Sequence, residues 1–121
     1  MDKGSEQRFI MKSNGVLFQP CVQLVEALPK IMDAYFYFAP HVVDVVITSA
    51  SDGVHMEDSL HYCDRDIDLR TWHIERRQLE LMTAFLRDEL TQLSPFYDVV
   101  LETDHLHIEY DDPSYDREAY A

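Results

Sequence analysis

The chain is 121 residues long and carries a formal net charge of −13, with 23 Asp and Glu against 10 Lys and Arg. Its hydrophobic content of 46% and aromatic content of 12% argue against a disordered chain and for one globular domain with a modest core. So acidic a composition argues against sequence-independent nucleic-acid binding and against polybasic docking on anionic lipid, and no apolar run is long enough to span a membrane.

The first fifteen residues, MDKGSEQRFIMKSNG, are polar and predict a loose arm or a short edge strand. They contain no apolar h-region, so no secretory signal is read there and synthesis in the cytoplasm is expected. Cys21 and Cys63 form no CxxC pair and are expected as two reduced thiols. The segment PCVQLVEALPKIMDAYFYFAP places Leu24, Leu28, Ile31, Met32 and Tyr35 at helical spacing. Pro29 within it predicts two short helices, or one starting near Pro29, because proline removes a helix donor and clashes with the preceding turn. The run YFYF, Tyr35 to Phe38, reads as a helix end packed on the sheet.

HVVDVVIT, His41 to Thr48, is β-branched and reads as a buried strand. Asp52-Gly53 is the strongest turn signal in the chain. Ile67 and Leu69 alternate with Asp66, Asp68 and Arg70, the period of a short strand. HIERRQLELMTAFLRDELTQL carries Ile74, Leu79, Met82, Phe85, Leu86, Leu90 and Leu93 on one stripe, a helix ended by Ser94-Pro95. FYDVVLET and HLHIEY predict two strands, or one long strand with an irregularity. The acidic, Tyr-rich end is expected to be exposed, which makes residues 1–121 a single domain with loose ends at 1–15 and 112–121. The order helix, strand, strand, helix, strand predicts a small α+β fold with a mostly antiparallel sheet and two main helices.

Potential ligands concentrate in SLHYCDRDIDLRT (Ser59 to Thr71) and LETDHLHIEY (Leu101 to Tyr110). Residues two apart in a strand share a face, so His105 and His107 lie together while Leu106 and Ile108 point into the core, and Asp66 shares the face of Asp68. His61 and Asp68 are seven apart, an odd number that demands a bend between Tyr62 and Arg65; Asp64 tolerates the backbone such a bend needs. A catalytic zinc takes three ligands from His, Asp, Glu or Cys and leaves a fourth place to water. Calcium is a competing reading of DRDID, since Asp64, Asp66, Asp68 and Glu75 match acidic positions of an EF-hand loop, but Leu69 stands where that loop requires glycine. Cys63 has the strand parity of His61 and reads better as a small buried residue. Tyr62 and Trp72 flank the clusters, as core or as walls of a substrate groove.

ITSASDGVHMEDSLHYCDRDIDLR followed by ETDHLHIEY resembles the zinc D-Ala-D-Ala carboxypeptidases and L-Ala-D-Glu endopeptidases, which share a fold with the Hedgehog signalling domain. The likeness is greatest to their compact phage and prophage members. The family pattern is S-x-H-x-x-G-x-A-x-D, then an acidic residue three places before a histidine. Ser59, His61 and Asp68 meet the first part, Asp104 and His107 the second, and the resemblance runs from Val43 to Tyr110. It implies a Hedgehog/DD-peptidase-like fold and a zinc metallopeptidase that hydrolyses a short peptide, a peptidoglycan stem, in the cell wall or periplasm. It implies His61, Asp68 and His107 as zinc ligands and Asp104 as the catalytic base, with Glu102 as the alternative. His105 would stand behind the ligands or donate to the oxyanion, and His55 and Ser59 would be further substrate or oxyanion groups.

The chain departs from the family in having Asp64 for glycine and Asp66 for alanine. No arginine lies between Arg8 and Arg65, where many members keep one for the oxyanion. These departures keep open a non-catalytic zinc-binding domain of the same fold, used for binding or structure; a third reading is a phage or prophage structural or regulatory protein acting through its acidic surface.

Overall fold

Alternation decides which face of the sheet is dry. In the computed structural model, which describes residues 9–13, 15, 19–50 and 65–112, the elements are β1 (Phe9–Lys12), α1 (Val22–Phe38), β2 (Asp44–Ala50), β3 (Asp66–Arg70), α2 (Arg76–Leu93), β4 (Tyr97–Leu101) and β5 (His105–Tyr110). The architecture is α+β, with two helices and a mostly antiparallel five-stranded sheet of order β1-β2-β3-β5-β4. Among the described residues only β1 and β2 pair in parallel, and α1 supplies the crossover that parallel neighbours require. The helix α2 carries the chain from β3 to β4 at the sheet edge, and β5 then turns back to insert between them. That insertion places two segments distant in sequence side by side.

Ile67, Leu69, Leu106, Ile108, Val99, Val45 and Ile47 form the buried sheet face, covered by Leu24, Ile31 and Tyr35 of α1 and by Met82, Leu86 and Leu90 of α2. Full burial of a side chain of this kind contributes about 1.5–3 kcal/mol, and this contiguous layer is what fixes the sheet beneath the open face. Lys30 Nζ donates to Glu89 Oε1 at 2.9 Å between the helices, a partly exposed pair that adds little stability.

Several expectations change in the structure. The first helix is continuous through Pro29. Pro29 is exposed, and the buried stripe of Leu24, Ala27, Ile31, Ala34 and Tyr35 runs on both sides of it. Packing of that face outweighs a proline cost of about 3 kcal/mol. The chain start contributes an edge strand, β1, and β2 begins at Asp44, with His41 exposed before it. FYDVVLET and HLHIEY are two strands. Leu93 is exposed, so the apolar stripe of α2 ends at Leu90. Trp72 is 78% exposed, which removes it from the core. The YFYF run divides: Tyr35 is buried and its hydroxyl donates to the Arg70 carbonyl at 3.4 Å, whereas Phe38 and Tyr37 meet Phe85 of α2 edge-on. Asp52-Gly53, Tyr62 and Cys63 lie outside the described residues. No helix among the described residues is long and apolar enough to cross a membrane.

Tyr97 ties β4 to α1 by donating its hydroxyl to the Gln23 carbonyl at 2.6 Å. Burial, helped by the charge of Glu26, pushes the phenol up to about 12 from 10.0. A raised folded-state value stabilises the fold below the unfolded pKa of 10.0, and this contribution disappears as pH rises through the folded value. Stability measured by urea unfolding is therefore expected to fall between pH 10 and about 12. Tyr97→Phe is expected to cost about 1 kcal/mol at pH 7 and to flatten that alkaline fall.

Candidate metal centre

The register of β3 with β5 builds the site. Asp66 pairs with Glu109, Asp68 with His107 and Arg70 with His105. Because Ile67, Leu69, Leu106 and Ile108 turn into the core, these six side chains align on the opposite face, where all are only partly buried. Val100 of β4 pairs with His107 and borders the group on one side.

His107 sits at the centre. Its Nδ1 is 2.7 Å from Asp68 Oδ1 and its Nε2 is 3.0 Å from Glu109 Oε1, with Asp66 Oδ2 3.9 Å from Nε2. A neutral imidazole donates from only one nitrogen, so carboxylates at both favour the imidazolium. Burial works to lower the His107 pKa. The hydrogen bonds to Asp68 and Glu109, with the charges of Asp68 and Asp66, outweigh it and hold the group above its ordinary value.

His105 lies beside this pair. Its Nδ1 donates to Asp104 Oδ1 at 2.7 Å, which directs Nε2 to Asp68 Oδ1 at 3.6 Å. Asp104 belongs to the turn between β4 and β5, which is closed by the Glu102 amide donating to the His105 carbonyl at 2.9 Å. The hydrogen bond from His105 holds the exposed Asp104 carboxyl below its usual value.

One ligand atom each from Asp68, His105 and His107 lie within 4.8 Å of one another, and the same is true of Asp66, His107 and Glu109. Two further features fit a cation. Asp66 Oδ1 is buried with no hydrogen-bond partner among the described residues, a costly state for a carboxylate oxygen unless a positive charge or a donor meets it. In the first set, each imidazole has its other nitrogen bound to a carboxylate, Asp104 for His105 and Glu109 for His107. Such outer partners fix the tautomer of a metal-bound histidine and raise its basicity. Imidazole and carboxylate donors suit zinc and related divalent transition ions.

The expected partners Asp68 and His107 therefore do meet. Asp104 reaches them only through His105, and not as a carboxylate directly beside them. Glu102 sits on the exposed turn, where its carbonyl accepts from Arg76 Nη1 at 3.2 Å. His61, Ser59, His55, Asp64 and Cys63 lie outside the described residues. The calcium-loop reading gains no support, since Asp66 and Asp68 belong to the paired strand β3 rather than to a loop between two helices. Glu109 was missed from the sequence, although it continues the parity of His105 and His107 by one more step. No protein-family model matches the chain, and neither the curated proteins nor the solved structures give a significant match.

Proposed function

We infer that the protein is a zinc-dependent metallopeptidase of the Hedgehog/DD-peptidase-like fold, acting on a short peptide of the peptidoglycan-stem type. The observation that carries this reading is the pairing of Asp68 with His107, two of the three ligands that the motif resemblance implies, at 2.7 Å on the open sheet face. Asp68 Oδ1 and His107 Nδ1 would hold the ion, with His61, as the motif resemblance implies, in the third ligand place that His105 Nε2 could otherwise fill, which leaves His105 for proton transfer. A zinc ion there would lower the pKa of its water towards ~7 and polarise a carbonyl.

The chain's own groups then divide the remaining work. Glu109 accepts from His107 Nε2 and leaves Nδ1 as the ligand atom. Asp104 holds His105 by Nδ1, so His105 Nε2 faces the centre and is the atom placed to accept and return a proton. Asp104 in this arrangement orients the imidazole and fixes its tautomer, with the proton on Nδ1 and the lone pair on Nε2. Asp66 adds negative charge on the same face, which favours a divalent cation over none.

Purified protein incubated with zinc is expected to release stem-peptide fragments from peptidoglycan, identified by mass, and to lose this activity with a chelator. His105→Ala is expected to cut turnover by about 100-fold or more while zinc is retained, the size typical of a lost general acid or base. Zinc bound at one equivalent with no turnover on any fragment would transfer the assignment to a non-catalytic zinc domain.

A further inference from the structure

Beside the metal centre, the open face continues into a cavity of about 380 Å³ walled by Met11, Val46, Arg70, Trp72, His41 and Asp44. Strand pairing explains the assembly. Met11 pairs with Val46 across β1 and β2, and Ile47 pairs with Leu69, which carries Val46 next to Arg70 on the same face. Arg70 is in turn the partner of His105. The cavity and the metal centre are thus adjoining rows of one sheet face.

Arg70 is the chemically active wall. Its guanidinium lies 5.1 Å from the centre of the Trp72 ring, and it has no ion pair or side-chain hydrogen bond among the described residues. Stacking on an aromatic face orients the planar fork and leaves its N–H edge to meet an anion. Of the two histidines that also line the cavity, His41 is spent on the His73 carbonyl, 3.2 Å from Nε2, and Arg70 is the wall's guanidinium. Met11 is 43% and Trp72 78% exposed, an unusual apolar shelf beside an unpaired cation on a chain of charge −13.

We propose that this cavity is a substrate subsite in which Arg70 binds a single carboxylate bidentately while Trp72, Val46 and Met11 cover the small apolar body that carries it. The ligand class is a peptide ending in a free α-carboxylate. Asp44, which also lines the cavity, repels a second negative charge, so a monoanion fits better than a phosphate dianion. Arg70 is two residues along β3 from Asp68, a span of about 7 Å, which matches one or two residues of extended peptide. The carboxylate would therefore stand one or two residues beyond a bond held at Asp68 and His107. This placement rests on the hydrolytic reading above; the affinity for carboxylate does not.

Trp72 is the chain's only tryptophan, so its emission reports the site. Full-length protein, zinc-free and zinc-loaded, is titrated with N-acetyl-D-alanyl-D-alanine and with the C-terminal amide of the same peptide. The free acid is expected to bind about ten- to hundredfold tighter than the amide. Arg70→Gln is expected to bring the acid down to the amide's level, Arg70→Lys to restore only part of the difference, and Asp44→Asn to tighten the acid. Equal binding of acid and amide by the wild type overturns the proposal. So does an acid preference that persists in an Arg70→Gln protein of unchanged circular dichroism. Looser acid binding by Asp44→Asn overturns the monoanion assignment. An acid preference kept in zinc-free protein and in Asp68→Asn supports the subsite even where no peptide is cleaved, whereas cleavage without that preference sinks it and leaves the metal centre standing.

Discussion

Replacing His107 by alanine is expected to weaken zinc binding by well over about 100-fold, more than the loss of an outer partner and matched on this face by Asp68→Ala. The imidazole contacts Asp68 through Nδ1 and Glu109 through Nε2, so its removal deletes a ligand and also leaves two carboxylates, with Asp66 nearby, facing one another without a cation. Asp68→Ala is expected to lose as much. Glu109→Gln keeps every proposed ligand and changes only the outer partner, for which losses of about 10–100-fold are typical. The order His107→Ala ≈ Asp68→Ala > Glu109→Gln, read by competition with a chromophoric chelator, separates a metal centre from a charge cluster. Zinc uptake must also displace the proton that Asp68 holds on Nδ1. Since His107 is held above its ordinary value, apparent affinity is expected to fall as pH drops through that raised pKa.

Leu106→Ala is the second large effect, and it acts on stability. Leu106 is completely buried, pairs with Leu69 on one side and Leu101 on the other, and lies between the two site histidines on β5. Truncating a leucine in such a place costs about 2–5 kcal/mol, because transfer energy is lost and a cavity remains where two paired strands resist collapse. Urea unfolding is expected to show this as a lower midpoint with the slope unchanged. If β5 instead lay at an edge, the same change would cost well under about 2 kcal/mol.

Much of the site was legible because it depends on parity. Asp66 and Asp68 on one strand and His105 and His107 on another could be assigned to one face from their spacing, with Ile67, Leu69, Leu106 and Ile108 as the internal check. The pairing of the two strands was not a local property. Asp68 and His107 are 39 positions apart, and their register follows from β5 inserting between β3 and β4 after α2 has crossed over. The motif resemblance supplied that link without deriving it. Pro29 misled because a local rule about hydrogen bonds was set against a buried stripe whose packing could be judged only with the sheet in place. The cavity walled by Arg70 and Trp72 was not legible for a related reason: Trp72 could be read as core or as a groove wall, and the shelf beside it needs β1 and β2 alongside. Asp104 shows the limit of motif spacing, since its distance from His107 in sequence matched a general base while the turn hands its carboxylate to His105.

The hydrolysis proposed for this face requires that the paired carboxylate and imidazole of two neighbouring strands hold a divalent ion. Anomalous diffraction at the zinc edge from crystals grown with one equivalent of zinc tests it most directly. A single strong peak is expected about 2.0–2.2 Å from both Asp68 Oδ1 and His107 Nδ1, with the hydrogen bond between them replaced by the ion. A peak elsewhere on the chain, or no peak with that hydrogen bond intact, would contradict it.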